Sequence, residues 1–313
     1  MKLTGEAFES IRRWIYRNAR PLDLARWRYH LEGGARSEVL LALSAYQNVD
    51  GGMGHALEAD AWNPHSTPIQ TSTAVAILRE VGMRETTHPL VQGLLRYLDS
   101  GADMAGDRWY NIVPSNNDFP HAPWWHAASE SSSHSEFNPT AILVGFILEH
   151  AEHASQLYRR GLGIARELTE HFEAEPHLSM HSLLCMVDLL EAITRAGLRQ
   201  AFDHNRLLQL AHSQACDMIR RDAQDWAGYA CRPSHFVKSP QHPLYGALGD
   251  LVERELDDII AGRNAEGIWD ITWHWDAFPV AFAISERWWQ ADIAIARVRY
   301  LEAFGRIEHR PQG

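Results

Sequence analysis

The sequence predicts an all-α fold, and three observations carry this prediction. Apolar residues recur at three- and four-residue spacings along most of the chain, and prolines and glycines mark the ends of these segments. Hardly any stretch alternates with the two-residue period of a strand. With 45% hydrophobic residues and twelve tryptophans among 313 residues, the chain can bury a substantial core. We expect one domain over residues 1–313, with a polar C-terminal tail from about residue 308.

In the first third of the chain, four segments have helical patterns with recognisable ends. They cover residues 7–18 (ended by Pro21), about 37–46, 67–82 and 88–101. Thr67 and His88 each stand directly before a proline, which is typical of a helix start. Gly82 and Gly101 are expected to end their helices, because glycine adopts the left-handed conformation without strain.

The rest of the chain is also predicted to be helical, apart from two loops. We predict helices over residues 138–147, 157–172, 179–196, 203–221, 244–261 and about 285–304. Pro233, Pro240 and Pro243 are too close together to leave room for a helix. The connection 102–137 is rich in Trp, Pro, Asn, His and Ser. Ordered loops of this length are uncommon in compact domains and often carry function.

The stretch 47–54 reads QNVDGGMG and lies between two helical patterns. Glycine–aromatic turns recur near residues 52, 108, 228 and 268. A spacing near fifty residues fits helical-hairpin repeats. Pairs of helices that alternate in direction can close into a ring, so we predict an α/α toroid, a barrel of helical hairpins with one concave centre.

This turn resembles the glutamine–aspartate–glycine turn that is repeated in terpenoid cyclases and protein prenyltransferase β-subunits. Residues 264–269 resemble a weaker copy. In that family such turns brace the outer helices, because Gln and Asp side chains can satisfy backbone groups at helix ends and glycines permit positive φ. The resemblance implies a toroid that acts on an apolar molecule such as an isoprenoid.

The chain departs from this family in its acidic motifs. Class II terpenoid cyclases carry Asp-x-Asp-Asp-Thr-Ala at the start of a helix, whereas residues 69–74 here read IQTSTA. The Asp-x-x-Asp-Asp pattern that chelates magnesium is absent too, as is a local zinc motif like that of the prenyltransferases.

Composition excludes several classes of function. The net charge of −11 argues against a nucleic-acid partner, which would require a basic face. No apolar run approaches the roughly 20 residues needed to cross a membrane, and the N-terminus lacks a secretory signal. The three cysteines are widely spaced, so we expect a reducing cytoplasm. No motif requires a cofactor, and a small-molecule substrate is the expected partner.

The predicted catalytic residues are Asp60, Glu58 and His121. Two carboxylates this close can separate in pKa, which gives an acid beside a base. A solvated acidic loop or a pair of helix caps is the alternative explanation. His121 lies among aromatics and prolines and could move a proton near neutral pH. Alternatively, it belongs to a hydrophobic loop plug in which the histidines bond to the backbone.

Aromatic residues near these loops are predicted to form the wall of the pocket. The substrate-binding prediction covers Trp62, Trp124, Trp125, Tyr229, Trp269 and Trp273. Core packing explains some of these tryptophans without a ligand. Asp270 and Asp276 lie beside the last two tryptophans and could face the same cavity.

His181 and Cys185 have the four-residue spacing of zinc ligands on one helix face. Burial of Cys185 and helix capping by His181 explain the pair without a metal, so we predict no metal site.

The sequence therefore leaves three hypotheses. The leading one is an enzyme that acts on an apolar small molecule by acid–base chemistry at Asp60, Glu58 and His121. The second is a carbohydrate-active toroid, a hydrolase, lyase or epimerase, that uses Asp60 with Asp270 or Asp276. The third is a non-catalytic ligand-binding scaffold.

Overall fold

The computed structural model describes residues 1–128, 136–226 and 228–308. Over these residues the chain is helix-rich, as the sequence predicted, and its one two-stranded sheet pairs β1 (Met104–Ala105) with β2 (Arg108–Trp109). No helix in the described part of the chain is long and apolar enough to cross a membrane.

Twelve α-helices and three 3-10 helices occur in these described ranges. The α-helices are α1 (Gly5–Asn18), α2 (Pro21–Leu31), α3 (Arg36–Ser44), α4 (Pro68–Glu80), α5 (Pro89–Ser100), α6 (Thr140–His150), α7 (Gln156–Ala174), α8 (Met180–Arg195), α9 (His204–Asp222), α10 (Pro233–Phe236), α11 (Tyr245–Ala261) and α12 (Pro279–Ala303). The 3-10 helices are Pro114–Asp118, Pro123–Trp125 and Arg199–Ala201.

Several predicted helix ends are confirmed in atomic detail. The Thr67 hydroxyl accepts the N–H of Gln70 at 3.2 Å, which caps α4. His88 Nδ1 accepts the N–H of Leu90 at 3.2 Å and caps α5. Gly101 follows α5 with φ of 71°, the left-handed conformation expected of a terminating glycine.

Three predictions around prolines were wrong. Pro21 is the first residue of α2 and not simply the end of α1. The proline-rich loop contains the one-turn helix α10, which begins at Pro233. The last helix begins at Pro279, well before the predicted Ser285. In each case proline occupies the first turn, where its missing N–H would have no helical partner anyway.

The chain divides into two compact units, and the single-domain assignment stays a prediction. The first unit comprises Met1–Ala42 and Ala215–Gly313. Within it α12 packs against α1 and α2, and α10 packs against α11. Its two ends are joined by a parallel bridge between Leu3 and Ile307, followed by a bond from the Glu308 N–H to the Leu3 carbonyl at 2.9 Å. The predicted C-terminal tail beyond Glu308 lies outside the described residues.

The second unit, Leu43–Gln214, is built around α6. This helix packs against α4, α5, α7 and α8. Its sequence, TAILVGFILEH, is apolar on all sides, which is typical of a helix surrounded by others. Gly145 lies where α4 approaches, because a Cβ there would come within 2.8 Å of the Arg79 guanidinium.

A buried ion-pair cluster joins three helices of this unit, and we call it the Glu149 cluster. The Glu149 carboxylate on α6 is 4% exposed and accepts from Arg79 Nη2 on α4 at 2.8 Å. It also accepts from Arg195 Nε and Nη2 on α8, both at 3.1 Å. Burial raises the pKa of Glu149, but the two guanidinium groups outweigh it and lower the pKa below its usual value. Asp188 shares Arg79, and Glu191 shares Arg195.

Candidate functional site

The glycine turn at residues 47–54 is fixed against α5. Gln47 Nε2 donates to the Gly51 carbonyl at 2.9 Å and to the Leu90 carbonyl at 3.1 Å. A Cβ on Gly93 would lie 2.3 Å from the same Gln47 nitrogen, so the side chain can enter only where α5 carries a glycine. The predicted role of this glutamine, to satisfy backbone carbonyls, is confirmed.

The rest of the turn uses its aspartate and glycines in different ways. Asp50 Oδ1 accepts the N–H of Gly52 at 3.0 Å and the hydroxyl of Ser66 at 2.7 Å. Gly51 has φ of 97° and therefore uses the conformational freedom of glycine. Gly52 is needed for space instead, because a Cβ there would lie 2.5 Å from Ser66 Cβ.

Two consecutive left-handed residues that are not glycine lead from this turn into the acidic loop. His55 has φ of 59° and Ala56 has φ of 61°. Such residues carry roughly 1–2 kcal/mol of strain each, and they cluster at functional sites. Hydrogen bonds hold them in place: the His55 N–H donates to the Asn63 carbonyl at 3.0 Å, and His55 Nε2 bonds Asn48 Oδ1 at 2.9 Å.

The first turn of α4 holds the acidic loop on both sides of Asp60. Gln70 Oε1 accepts the N–H of Leu57 at 2.8 Å, and Gln70 Nε2 donates to the Asn63 carbonyl at 2.9 Å. Gln70 is fully buried. It belongs to the IQTSTA segment, the nearest match in this chain to the acidic motif of class II cyclases. A neutral amide at this point fixes the loop without itself being a catalytic acid.

The two loops predicted to carry catalysis are bonded to each other. Ala61 pairs antiparallel with His121. The Trp62 N–H donates to the Pro120 carbonyl at 2.9 Å, and the Ala122 N–H donates to the Asp60 carbonyl at 2.8 Å. In this pattern the two central residues form the closer type of antiparallel pair, with Cα atoms about 4.5 Å apart. We call the two segments, 56–65 and 119–127, the paired loops.

Asp60 is buried with 3% of its surface exposed, whereas Glu58 is only partly buried. A turn joins them, because the Ala61 N–H donates to the Glu58 carbonyl at 3.0 Å. The alternative of a solvated acidic loop is therefore wrong for Asp60. Buried carboxylates require specific partners or a function, since burial disfavours their charged form.

His121 is 7% exposed and forms a chain of hydrogen bonds that leads to the surface. Its Nδ1–H donates to the Phe119 carbonyl at 2.6 Å, which leaves Nε2 of the neutral ring as an acceptor. His126 Nδ1 lies 3.1 Å from this Nε2, and the two rings stack with centroids 5.3 Å apart. His126 is exposed. The alternative of a hydrophobic loop plug predicted a hydrogen bond from His121 to the backbone, and this bond is present. His121 also contacts a second imidazole, that of His126.

A chain of buried side-chain amides joins the paired loops to the segment between β2 and Phe119. Asn63 is 1% exposed and donates to Ser115 Oγ at 2.8 Å and to Asn116 Oδ1 at 3.0 Å. Asn116 in turn donates to the Trp125 carbonyl at 3.1 Å. Sequence reasoning missed these residues. Their signal was the asparagine content of the long connection, which by itself does not say where each amide lies.

The predicted aromatic wall is only partly buried in this unit. Trp62 and Trp125 are partly buried, and Trp124 is 43% exposed. Trp125 Nε1 is buried without a hydrogen-bond partner in the described chain.

The remaining predicted wall residues lie in the first unit. Trp269 is 1% exposed and donates from Nε1 to the Ile259 carbonyl at 2.8 Å. Trp273 meets Trp289 edge-on at 5.3 Å and Tyr229 at 6.1 Å. Tyr229 is 61% exposed. The substrate-binding role of all three stays a prediction.

The acids proposed for a carbohydrate-active site also lie in the first unit and are exposed. Asp270 accepts from Asn264 Nδ2 at 2.7 Å, and Asp276 lies 2.8 Å from His274 Nε2 with 94% of its side chain exposed.

His181 and Cys185, the weak metal candidates, lie on α8. Burial and the charge of Asp188 raise the pKa of the Cys185 thiol to about 12, and burial lowers the pKa of His181. A high thiol pKa disfavours the thiolate that binds zinc. Over the described ranges, no group of three or more His, Cys, Asp or Glu side chains is arranged to hold a metal ion.

Comparisons of this chain with protein-family models, with curated proteins and with solved structures find no match. The geometry of its own residues is therefore the basis for assigning its function.

Proposed function

We propose that this chain is an enzyme that acts by acid–base chemistry on an apolar small molecule such as an isoprenoid. The paired loops form its active site, on an α/α toroid of the terpenoid cyclase and prenyltransferase type. Asp60 is the catalytic acid or base, assisted by Glu58, and His121 carries the proton. One observation supports this most strongly: backbone pairing joins Ala61 to His121, so that a buried carboxylate and a buried imidazole stand on adjacent segments.

The burial of both groups favours catalysis over simple solvation. General acid–base catalysis needs a titratable group held close to the reacting atom and shielded from bulk water. Asp60 and His121 meet the shielding requirement at 3% and 7% exposure. Trp62, two residues after Asp60, is partly buried and in this proposal supplies apolar surface to the pocket.

The two imidazoles provide a route for the proton. The Phe119 carbonyl fixes the tautomer of His121, because it accepts from Nδ1–H. Nε2 of His121 then exchanges a proton with Nδ1 of His126 across 3.1 Å. Since His126 is exposed, a proton from solvent can reach the buried His121 ring by this path.

The glycine turn supports a relation to the cyclase superfamily, whereas the start of α4 lacks the family acids. Gln47 braces the turn against α5, which is the role of the corresponding glutamine in that family. The acids of the family motif are replaced here by Ile69, Thr71 and Ser72, and Gln70, at the variable position between them, holds the Asp60 loop with its amide. In this proposal the acid has moved from the helix start to the loop that the helix start positions.

The test is turnover of a panel of isoprenoids by the wild-type protein and matched variants. Geraniol, farnesol and farnesyl diphosphate are incubated in D2O, and the products are analysed by mass spectrometry for deuterium. Asp60→Asn should abolish turnover, and His126→Gln should lower it about 100-fold, the usual range for a proton-transfer group. The control is Asp107→Asn, an exposed carboxylate in the same unit, which should leave turnover unchanged.

Retained turnover in Asp60→Asn would remove Asp60 from the mechanism. Binding of a panel molecule by the wild type without any conversion would contradict the enzyme and favour the scaffold hypothesis.

A further inference from the structure

A second group of charged and aromatic side chains lies in the first unit, and we call it the Arg297 cluster. Its members come from α10, α11, α12 and the segments beside them: Trp226, Arg232, Ser234, Glu255, Arg297 and Tyr300. None of them belongs to the paired loops, so a role for this cluster is independent of the proposed enzyme activity.

Arg297 is a half-buried guanidinium that contacts an aromatic ring but has no hydrogen-bond or ion-pair partner among the described residues. Its guanidinium carbon lies 5.3 Å from the centre of the Trp269 ring. It takes part in no hydrogen bond or ion pair with any residue in the described ranges. Burial and the positive charge of Arg232 lower the pKa of Arg297 to about 10, against the opposing effect of Glu255. The surroundings thus disfavour the charge that this side chain carries.

The one carboxylate inside the cluster is already engaged. Glu255 is 1% exposed, and its two oxygens accept the Ser234 N–H at 2.8 Å and the Ser234 hydroxyl at 2.6 Å. It forms no ion pair with Arg232 or Arg297 within the described chain. Burial raises the pKa of Glu255. The cluster therefore carries excess positive charge whether or not Glu255 is ionised.

Two further donors in the cluster make no hydrogen bond of normal geometry within the described chain, although the Tyr300 hydroxyl lies near the Glu255 carboxylate. The Tyr300 hydroxyl and Trp226 Nε1 are both buried without a hydrogen-bond partner among the described residues. Burial and the nearby Glu255 carboxylate raise the pKa of Tyr300, so its hydroxyl keeps its proton. The Trp226 ring is covered by two guanidinium groups, those of Arg232 at 5.5 Å and Arg254 at 4.6 Å. Arg232 also donates from Nη2 to the Trp226 carbonyl.

These observations have one chemical feature in common: positive charge exceeds negative charge, and the Arg297 guanidinium and Trp226 Nε1 have no hydrogen-bond acceptor among the described residues. Buried polar groups in folded proteins nearly always have partners, and a buried unpaired charge is strongly unfavourable. A guanidinium fork presents parallel N–H groups that match a carboxylate or phosphate. The cation–π contact with Trp269 uses none of the guanidinium N–H groups, which are the groups that bind an oxyanion.

We propose that the Arg297 cluster binds an oxyanion, the carboxylate or phosphate group of a small molecule. Arg297 supplies the principal charge-assisted hydrogen bonds, Arg232 supplies additional positive charge, and the Tyr300 hydroxyl donates a further hydrogen bond. The aromatic rings of Trp226 and Trp269 hold the guanidinium groups in position.

The first test is titration of the wild-type protein with inorganic phosphate and, separately, with acetate. Chloride replaces the oxyanion at constant ionic strength, and binding is followed by calorimetry and by the melting temperature. Saturable binding should raise the melting temperature by roughly 5 °C at one hundred times Kd. A stronger response to phosphate identifies a phosphoryl ligand, and a stronger response to acetate identifies a carboxylate. No saturable response to either ion overturns the proposal.

Three variants locate the binding. Arg297→Gln should abolish the saturable response, and Tyr300→Phe should weaken it about tenfold, as expected for one hydrogen bond to a charged group. The control Arg159→Gln removes the same charge from an exposed position on α7 and should change affinity by less than about twofold. An Arg297→Gln protein that binds like wild type overturns the assignment. If that variant does not fold, an unchanged affinity in Tyr300→Phe overturns it instead.

Discussion

The Glu149 cluster and the Arg297 cluster both bury charge among helices, but in opposite electrostatic environments. Three guanidinium groups, those of Arg79, Arg84 and Arg195, contact the Glu149 carboxylate, and its pKa is lowered, so the folded protein favours the charged form. The pKa of Arg297 is also lowered, which for a cation means that the folded protein disfavours the charged form. Both charged groups are shielded from solvent, but only Glu149 has ion-pair partners among the described residues.

This difference separates a structural charge from a candidate binding charge. A buried ion pair with good geometry joins elements, and breaking it leaves an uncompensated charge. A buried charge without a partner makes no such link and gains one only when a ligand arrives. The paired loops represent a third case, in which neutral amides such as Gln70 and Asn63 hold the loop that carries a buried carboxylate.

The largest expected effect is at Glu149. Glu149→Gln should lower the free energy of unfolding by about 3–5 kcal/mol, because it leaves the Arg79 and Arg195 guanidinium groups without their shared carboxylate. Urea unfolding monitored by circular dichroism measures this loss. The matched control is Glu191→Gln, which removes the 60% exposed carboxylate that also contacts Arg195 at 3.2 Å. An exposed pair of this kind contributes at most about 1 kcal/mol. Equal losses of unfolding free energy in the two variants would contradict the claim that the buried Glu149 stabilises the fold more than an exposed carboxylate does.

Lowering the pH should remove the contribution of Glu149 to the free energy of unfolding. Its folded-state pKa lies below the unfolded value of about 4.3, so its stabilisation is complete above that pH. The stabilisation is lost as pH falls through the folded-state pKa. The difference in unfolding free energy between wild type and Glu149→Gln should therefore be constant near neutrality and shrink below about pH 4. A difference that grows on acidification would contradict the lowered pKa.

A smaller effect is expected at Gln70, where the buried group is polar but uncharged. Gln70→Ala should destabilise the protein by about 1–2 kcal/mol, because the Leu57 N–H and the Asn63 carbonyl each retain a second backbone partner. Hydrogen exchange should accelerate at the Leu57 amide. The control is Gln92→Ala, an exposed glutamine on α5, which should be close to neutral. Unchanged exchange at Leu57 would mean that Gln70 does not hold the Asp60 loop.

Local signals made most of the helices predictable from the sequence. Thr67-Pro68, His88-Pro89 and Gly101 mark helix ends through contacts that span only a few residues, so sequence alone is informative there. Proline misled the prediction at Pro21, because the same residue ends one helix and opens the next. Whether a proline ends or begins a helix depends on the residues after it, and the α2 segment has a weaker amphipathic pattern than α1.

The candidate sites were predictable only in part, because they depend on contacts between distant residues. Asp60 and His121 were selected separately from local composition, but their pairing joins segments sixty residues apart. Asn63 and Asn116 looked like ordinary loop residues until their side-chain amides were found bonded to each other. Arg297 carried no signal at all, since one arginine on a long helix is normally solvated. Its significance comes from the lack of a hydrogen-bond or ion-pair partner in the described part of the chain, which only the fold reveals.

The contrast between the two clusters is tested most directly by removing each buried charge in turn. The measurement is whether the melting temperature falls or rises. Melting temperatures of Glu149→Gln and Arg297→Gln are compared with wild type in chloride buffer free of phosphate and carboxylates. We expect a fall of roughly 10 °C for Glu149→Gln and an unchanged or higher value for Arg297→Gln. A fall in Arg297→Gln as large as that in Glu149→Gln would show that Arg297 is a structural charge, and would contradict the assignment of an oxyanion site.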